Sequence, residues 1–225
     1  MFTGNLSFKG LFVCDHIAAI NYFIDSIEND NCKYSAFPCD NFTEFQAGNC
    51  LKCSSKGCNQ MGFHASPLND LGDLYLSTHS GSSSPFCHFP YEIALYSVNS
   101  FNKFQTSGKF SVVLNGSLNK SDSFIIDNYA TTFREGLIIK RLIESIHSLG
   151  SILSVIVSFT RPLCITISCW KEANMWRFEK ISLVDGITQK INTFCTNSTT
   201  DFIFTGSSLE YFPCNNKTNI NLTFY

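Results

Sequence analysis

From residue 89 onward, apolar and polar positions alternate over short runs that end at Gly, Asn, Ser or Thr. YEIALYSV (residues 91–98) places Tyr91, Ile93 and Leu95 on one face, the spacing of a half-buried strand. GKFSVVLNG, SFIID, SILSVIVSF, LCITISCW, FEKISLV, FIFTG and LEYF follow in the same style. Several short strands divided by turn signals predict an antiparallel β-sandwich. LIIKRLIESIHSL (137–149) fits a helix about as well as a strand, and the pattern leaves both open.

The N-terminal part has a different rhythm. Ile17, Ile20, Phe23, Ile24 and Ile27 recur at helical spacings, which predicts a helix over residues 15–27. Asp15 is placed to cap it, since its carboxylate can accept from free N–H groups of the first turn. His16 would then open the helix, where the positive end of the dipole keeps the imidazole neutral and able to accept a proton. Any capped histidine shares that geometry. On this ground a base, a core histidine and a helix-start residue all remain open for His16. Cys32 to Cys58 reads as loop crowded with cysteine, a strand is predicted at Leu74–Thr78, and SGSSSP (Ser80–Pro85) marks a boundary. Two domains are expected, 1–88 and 89–225.

Composition narrows the class. Charged residues are 15% of the chain and hydrophobic ones 44%, with 22 phenylalanines, so the chain is globular. A net charge of −2 without a basic run gives no footprint for nucleic acid. Eleven cysteines and the sequons at Asn5, Asn41, Asn115, Asn119, Asn197, Asn216 and Asn221 favour an oxidising, extracellular setting. MFTGNLSFKGLFVC nevertheless lacks the charged leader of an export signal, and no run of about 20 apolar residues could span a membrane. A secreted-type body without a signal peptide predicts a chain whose beginning is missing.

Three features then converge. Cys-Asp-His is followed by YFIDSI. FPCDNFTEFQAGNCLKCSSKGCNQMGFHA contains Cys39, Cys50, Cys53 and Cys58, and LYLSTHS is followed by PFC and a run of strands. Their order and spacing over residues 11–96 resemble the pancreatic-lipase family of secreted triacylglycerol lipases and phospholipases A1. Further on, FEKISLVDG, FCTNS and YFPC sit where that family has its PLAT-type sandwich, and CITISCWKEANM looks like an insertion. The implied fold is the C-terminal end of an α/β-hydrolase domain followed by a PLAT-like antiparallel β-sandwich.

By the same resemblance, His16 falls on the catalytic histidine of a Ser-His-Asp triad. The family's serine, in a G-x-S-x-G elbow, and its aspartate both precede that histidine, and this chain contains no G-x-S-x-G: GSSSP and TGSSL lack the second glycine. Asp15 reads as a cap rather than the triad acid. The oxyanion hole, most of the lid and the calcium site would lie upstream, so no cofactor is expected in this chain. The implied partner is a lipid substrate or a lipid–water interface. The resemblance also implies disulfides Cys39–Cys50, Cys53–Cys58 and Cys195–Cys214, with Cys32–Cys87 as in arthropod phospholipases of the family, and leaves Cys14 without its lid-base partner. Cys164 and Cys169 fall on opposite faces of a predicted strand, free or paired elsewhere.

Competing readings are plainer. Cys50, Cys53 and Cys58 with His64 offer a zinc spacing that lacks a second paired half. His64, His79, His88 and His147 show no carboxylate or cysteine pattern and read as surface or packing residues. Trp170 and Trp176 form either an interfacial aromatic loop or strand packing, the latter favoured by composition. The expected function is a truncated secreted lipase. The alternatives are a non-catalytic lipid-binding or storage protein and a secreted adhesion module.

Overall fold

The computed structural model describes residues 8–53, 57–67, 71–79, 84–98, 105–127, 132–161, 172–196 and 201–214, with backbone alone at 8–15 and 127. Its first element, α1 (Phe8–Glu28), begins at Phe8 rather than at residue 15. Nothing in FKGLFVC stops a helix except Gly10, which is tolerated at about 1 kcal/mol. Asp15 is therefore inside the helix and is not its N-cap. His16 lies about two turns in, past the first turn to which the dipole's influence is confined.

The chain then forms β1 (Ser35–Pro38), α2 (Phe42–Gln46), β2 (Asn59–Gln60) and β3 (Leu74–Tyr75), the three strands pairing in the order β2-β1-β3. β3 is the first part of the strand predicted at Leu74–Thr78. α2 lies in what the sequence presents as loop. Asn41 caps it, its Oδ1 accepting from the Glu44 N–H at 3.0 Å. Disulfides Cys32–Cys87, Cys39–Cys50 and Cys53–Cys58 staple this region, and Cys195–Cys214 lies in the sandwich. All are pairs that the family resemblance implies, and the zinc reading fails because the sulfurs of Cys50, Cys53 and Cys58 are committed to bridges.

The sandwich strands are β4 (Phe89–Ser97), β5 (Gln105–Ser107), β6 (Lys109–Gly116), β7 (Phe124–Asp127), β8 (Thr132–Arg134), β9 (Ile138–Ser145), β10 (Ile152–Thr160), β11 (Met175–Trp176), β12 (Phe178–Asp185), β13 (Ile191–Cys195), β14 (Ile203–Phe204) and β15 (Ser207–Pro213). The segment 137–149 thus resolves as a strand. The main sheet runs β7-β6-β10-β15-β13-β12-β4-β9, with β5-β8 and β11-β14 as small accessory pairs. β15 joins the two layers: Ser207–Tyr211 pair with β10, while Phe212 and Pro213 pair with Cys195 and Phe194 of β13. Between the layers Tyr91, Ile93 and Leu95 meet Val112, Val155, Val157, Ile181 and Tyr211, all buried. Phe110 is the centre of an aromatic cluster, with Phe133 and Phe159 each 4.7 Å away and Phe178 at 5.1 Å between ring centroids. Trp176 is 3% exposed and donates its indole N–H to Ser97 Oγ at 3.2 Å, so it packs rather than projects. Trp170, Cys164, Cys169 and the strand predicted at LCITISCW lie outside the described residues, as do the Cys14 side chain and the sequons at Asn5, Asn197, Asn216 and Asn221.

The N-terminal part leans on the sandwich. Leu142 of β9 packs on the Phe37–Phe45–Leu51 cluster. Gln189, in the β12–β13 turn, accepts from the Cys53 N–H at 2.8 Å and donates to the Leu51 carbonyl at 3.0 Å.

Candidate active-site helix

α1 is fixed at its C-terminal end by buried polar groups. Asp25, 3% exposed, accepts from the Tyr34 hydroxyl at 2.6 Å and the Phe86 N–H at 3.2 Å, and from the Ser84 hydroxyl. Burial pushes its carboxyl up, but the hydrogen bonds from Ser84, Tyr34, the Phe86 N–H and Asn29 outweigh it, and the net direction is below the usual aspartate value. The Tyr34 hydroxyl is raised by burial and then by Asp25, so it stays a donor. Ser26 donates to the Phe23 carbonyl at 2.6 Å and accepts from the Phe63 N–H at 2.9 Å. A Cβ at Gly62 would stand 2.2 Å from Ser26 Oγ, so the turn at Gly62 requires glycine. Tyr22 lies edge-on to Phe86 at 5.3 Å, beside the Cys32–Cys87 bridge.

His16 is exposed on the same helix. The apolar stripe around it, Ile17, Ile20, Phe23, Ile24 and Ile27, is between 44% and 58% exposed. The helical period identified this face correctly as apolar, but what α1 buries against the rest of the described chain is Tyr22, Asp25 and Ser26. That polar anchor has no periodic signature. The only cue in the sequence was the YFIDSI segment, quoted for its likeness to lipases rather than for burial.

A second cluster joins the N-terminal part to β9. Ser77 donates to Glu144 Oε1, and His88 Nδ1 lies 3.9 Å from Glu144 Oε2 with no hydrogen-bond partner among the described residues. The His79 ring is 5.9 Å from that of His88. His88 is lowered by burial and by His79, and Glu144 is raised by burial against the opposing bond from Ser77. The serine is bonded to the carboxylate rather than to the imidazole, so the order of a nucleophile–base–acid relay is not met. The structure thus places a carboxylate beside His88 that its sequence surroundings did not show.

Cavities line other parts of the sandwich. One of about 250 Å³ is bounded by Glu135, Glu172, Trp176, Arg177 and Phe202, and a cleft of about 510 Å³ lies beside Tyr91, Asp185 and Lys190. Among the described residues no group of three or more His, Cys, Asp and Glu is set to hold a metal ion. No helix among them is long and apolar enough to cross a membrane.

The family model described as Lipase matches residues 3–86, which takes in α1, His16 and the disulfide-stapled region. Rat lipoprotein lipase is 25% identical over 212 residues, 92% of this chain and 44% of that protein. Human pancreatic lipase-related protein 3 is 30% identical over 149 residues, 64% of this chain and 30% of that protein. Residues 3–86 thus match the lipase family, and most of the chain resembles lipoprotein and pancreatic lipase-related proteins. The chain spans less than half the length of these curated relatives. A coral 8R-lipoxygenase structure superposes with a TM-score of 0.42 at 12% identity, over 55% of this chain and 17% of that one. The described architecture is that of the end of a lipase domain followed by an antiparallel β-sandwich.

Proposed function

We propose that this chain is the C-terminal portion of a secreted carboxylic ester hydrolase acting on triacylglycerol or phospholipid, with His16 as the base of a Ser-His-Asp triad. The observation that carries this reading is the lipase-family match through α1, on the helix that bears His16. In this scheme the His16 imidazole takes the proton from a serine hydroxyl as its oxygen attacks the ester carbonyl. It then returns that proton to the departing alcohol. An exposed imidazole on a helix anchored through Asp25 and Ser26 suits a base that must meet groups from another part of the protein. The exposed stripe from Ile17 to Ile27 supports an upstream hydrolase core packing on that face. The disulfides fit an extracellular setting. The C-terminal sandwich, read as PLAT-type, would present the enzyme to a lipid surface.

The test begins with the transcript upstream of Met1, where a serine elbow in frame is expected. The full-length product should then hydrolyse tributyrin or phosphatidylcholine, and His16→Ala should lower kcat by about 10⁴- to 10⁶-fold. Undiminished hydrolysis by that variant removes His16 from the mechanism. Lipid binding without hydrolysis by the full-length product would favour the non-catalytic carrier instead.

A further inference from the structure

We propose that Asn41 carries an N-linked glycan and that Asn115 does not. The proposal rests on the secretory reading above. Three of the sequons lie among the described residues, and the fold treats them differently. A glycan replaces one hydrogen of the Asn Nδ2 and is added to the nascent chain, so the fold must leave that atom room for a bulky sugar.

At Asn41 the fold leaves that room. The side chain is exposed, and so is Thr43. The cap of α2 uses only Oδ1, which accepts from the Glu44 N–H at 3.0 Å. The attachment atom is therefore left to solvent while the same residue keeps its structural role. Phe42, 48% exposed, lies directly beside it, so a bulky hydrophilic group here would shield an aromatic side chain.

At Asn115 the attachment atom is engaged. Its Nδ2 donates to Ser154 Oγ at 3.0 Å and to Glu210 Oε1 at 3.2 Å, linking β6, β10 and β15. Ser154, itself 3% exposed, also donates to Glu210. A glycan would remove one donor from this packed set and would have to part the face that covers Ser154. Asn119 is intermediate. It is exposed and donates to the Ser148 carbonyl at 2.9 Å, but its hydroxyl partner Ser121 is 8% exposed and accepts from the Leu114 N–H at 2.8 Å.

The experiment expresses the full chain behind a heterologous signal peptide in insect cells, which imposes entry to the secretory pathway. Digestion with peptide N-glycosidase in heavy-oxygen water converts each glycosylated Asn to a labelled Asp that peptide mass spectrometry detects. Conversion at Asn41 and none at Asn115 is expected. Thr43→Ala keeps the Asn41 cap and should abolish the Asn41 label together with one step of gel mobility. An unlabelled Asn41 in the parent chain overturns the proposal, and so does a labelled Asn115 in secreted protein. If the chain is retained in the cell, digestion of the endoplasmic-reticulum fraction reads Asn41 equally well. Ester hydrolysis enters no arm, so a failure here leaves the lipase reading standing, and a failure of that reading leaves the label interpretable.

Discussion

Asp25 shows how one residue can set the position of a whole helix. Its carboxylate is almost fully buried, and its acceptors are satisfied by Tyr34, Ser84 and the Phe86 N–H. Removing the charge should therefore cost about 1–3 kcal/mol at neutral pH in Asp25→Asn, because buried donors lose part of their acceptor. The pH dependence follows from a folded value below the unfolded one. Such a group contributes stability that is complete above the unfolded pKa of about 3.9 and fades as pH falls through the lower, folded value. The melting temperature of the parent chain should drop between about pH 5 and about pH 3. Asp25→Asn should show a shallower drop, and parallel profiles would remove Asp25 from the acid response. Gly48 makes a different residue-scale demand. Its φ is +77°, and a Cβ there would lie 2.7 Å from the Arg141 carbonyl carbon. Gly48→Ala should lose about 1–3 kcal/mol in chemical denaturation, through the left-handed backbone and the clash against β9.

Among elements, the turn between β12 and β13 works as a clasp. Gln189 bonds both to the Cys53 N–H and to the Leu51 carbonyl, and it does so from a positive φ of 57°. Gln189→Ala should destabilise by about 1–3 kcal/mol and raise amide exchange at Cys53. Gln189→Gly relieves the backbone yet still loses the bonds, so faster exchange at Cys53 in both variants identifies the side chain as the cause. Unchanged exchange in both would show that the clasp holds nothing. The same contact explains which elements the sequence revealed. β4 was legible because Tyr91, Ile93 and Leu95 alternate with Glu92 and Ala94 and enter the sandwich interior, although Glu92 and Ala94 on the other face are buried too. β9 was ambiguous because both its faces carry apolar residues: Ile139 and Ile143 enter the sandwich, while Leu142 packs on the Phe37–Phe45–Leu51 cluster. Only tertiary packing distinguishes that from a helix. α2 and the short strands β1 and β2 were hidden for another reason. Disulfides and the Asn41 cap hold them, and these act without periodicity. His16 was visible only through likeness to lipases; its exposure, and the early start of α1 that removes Asp15 as a cap, came from the structure.

At the scale of the whole molecule, the unresolved balance is the stripe on α1. Five large apolar side chains, Ile17, Ile20, Phe23, Ile24 and Ile27, are each at least 44% exposed along one helix. A contiguous apolar surface of this kind promotes association in a protein that leaves it open. The 225-residue chain should therefore bind a hydrophobic dye and self-associate with rising concentration in sedimentation velocity. Ile20→Glu with Ile24→Lys places an acid four residues before a base, an arrangement that supports the helix by about 0.2–0.5 kcal/mol. This double variant should lose most of the dye signal and the association while its melting stays within about 0.5 kcal/mol of the parent. Association that persists would move the adhesive surface elsewhere, for instance to the exposed Phe202 and Phe204. The same pair of substitutions gives the opposite result if an upstream hydrolase core covers the face, as the proposed function requires. In the full-length product two charges would then be buried without designed partners, a change costing several kcal/mol, and folding or secretion should fail. A variant tolerated equally well in both contexts would leave the stripe uncovered in the longer protein. It would also remove the main structural support for placing His16 against an upstream serine.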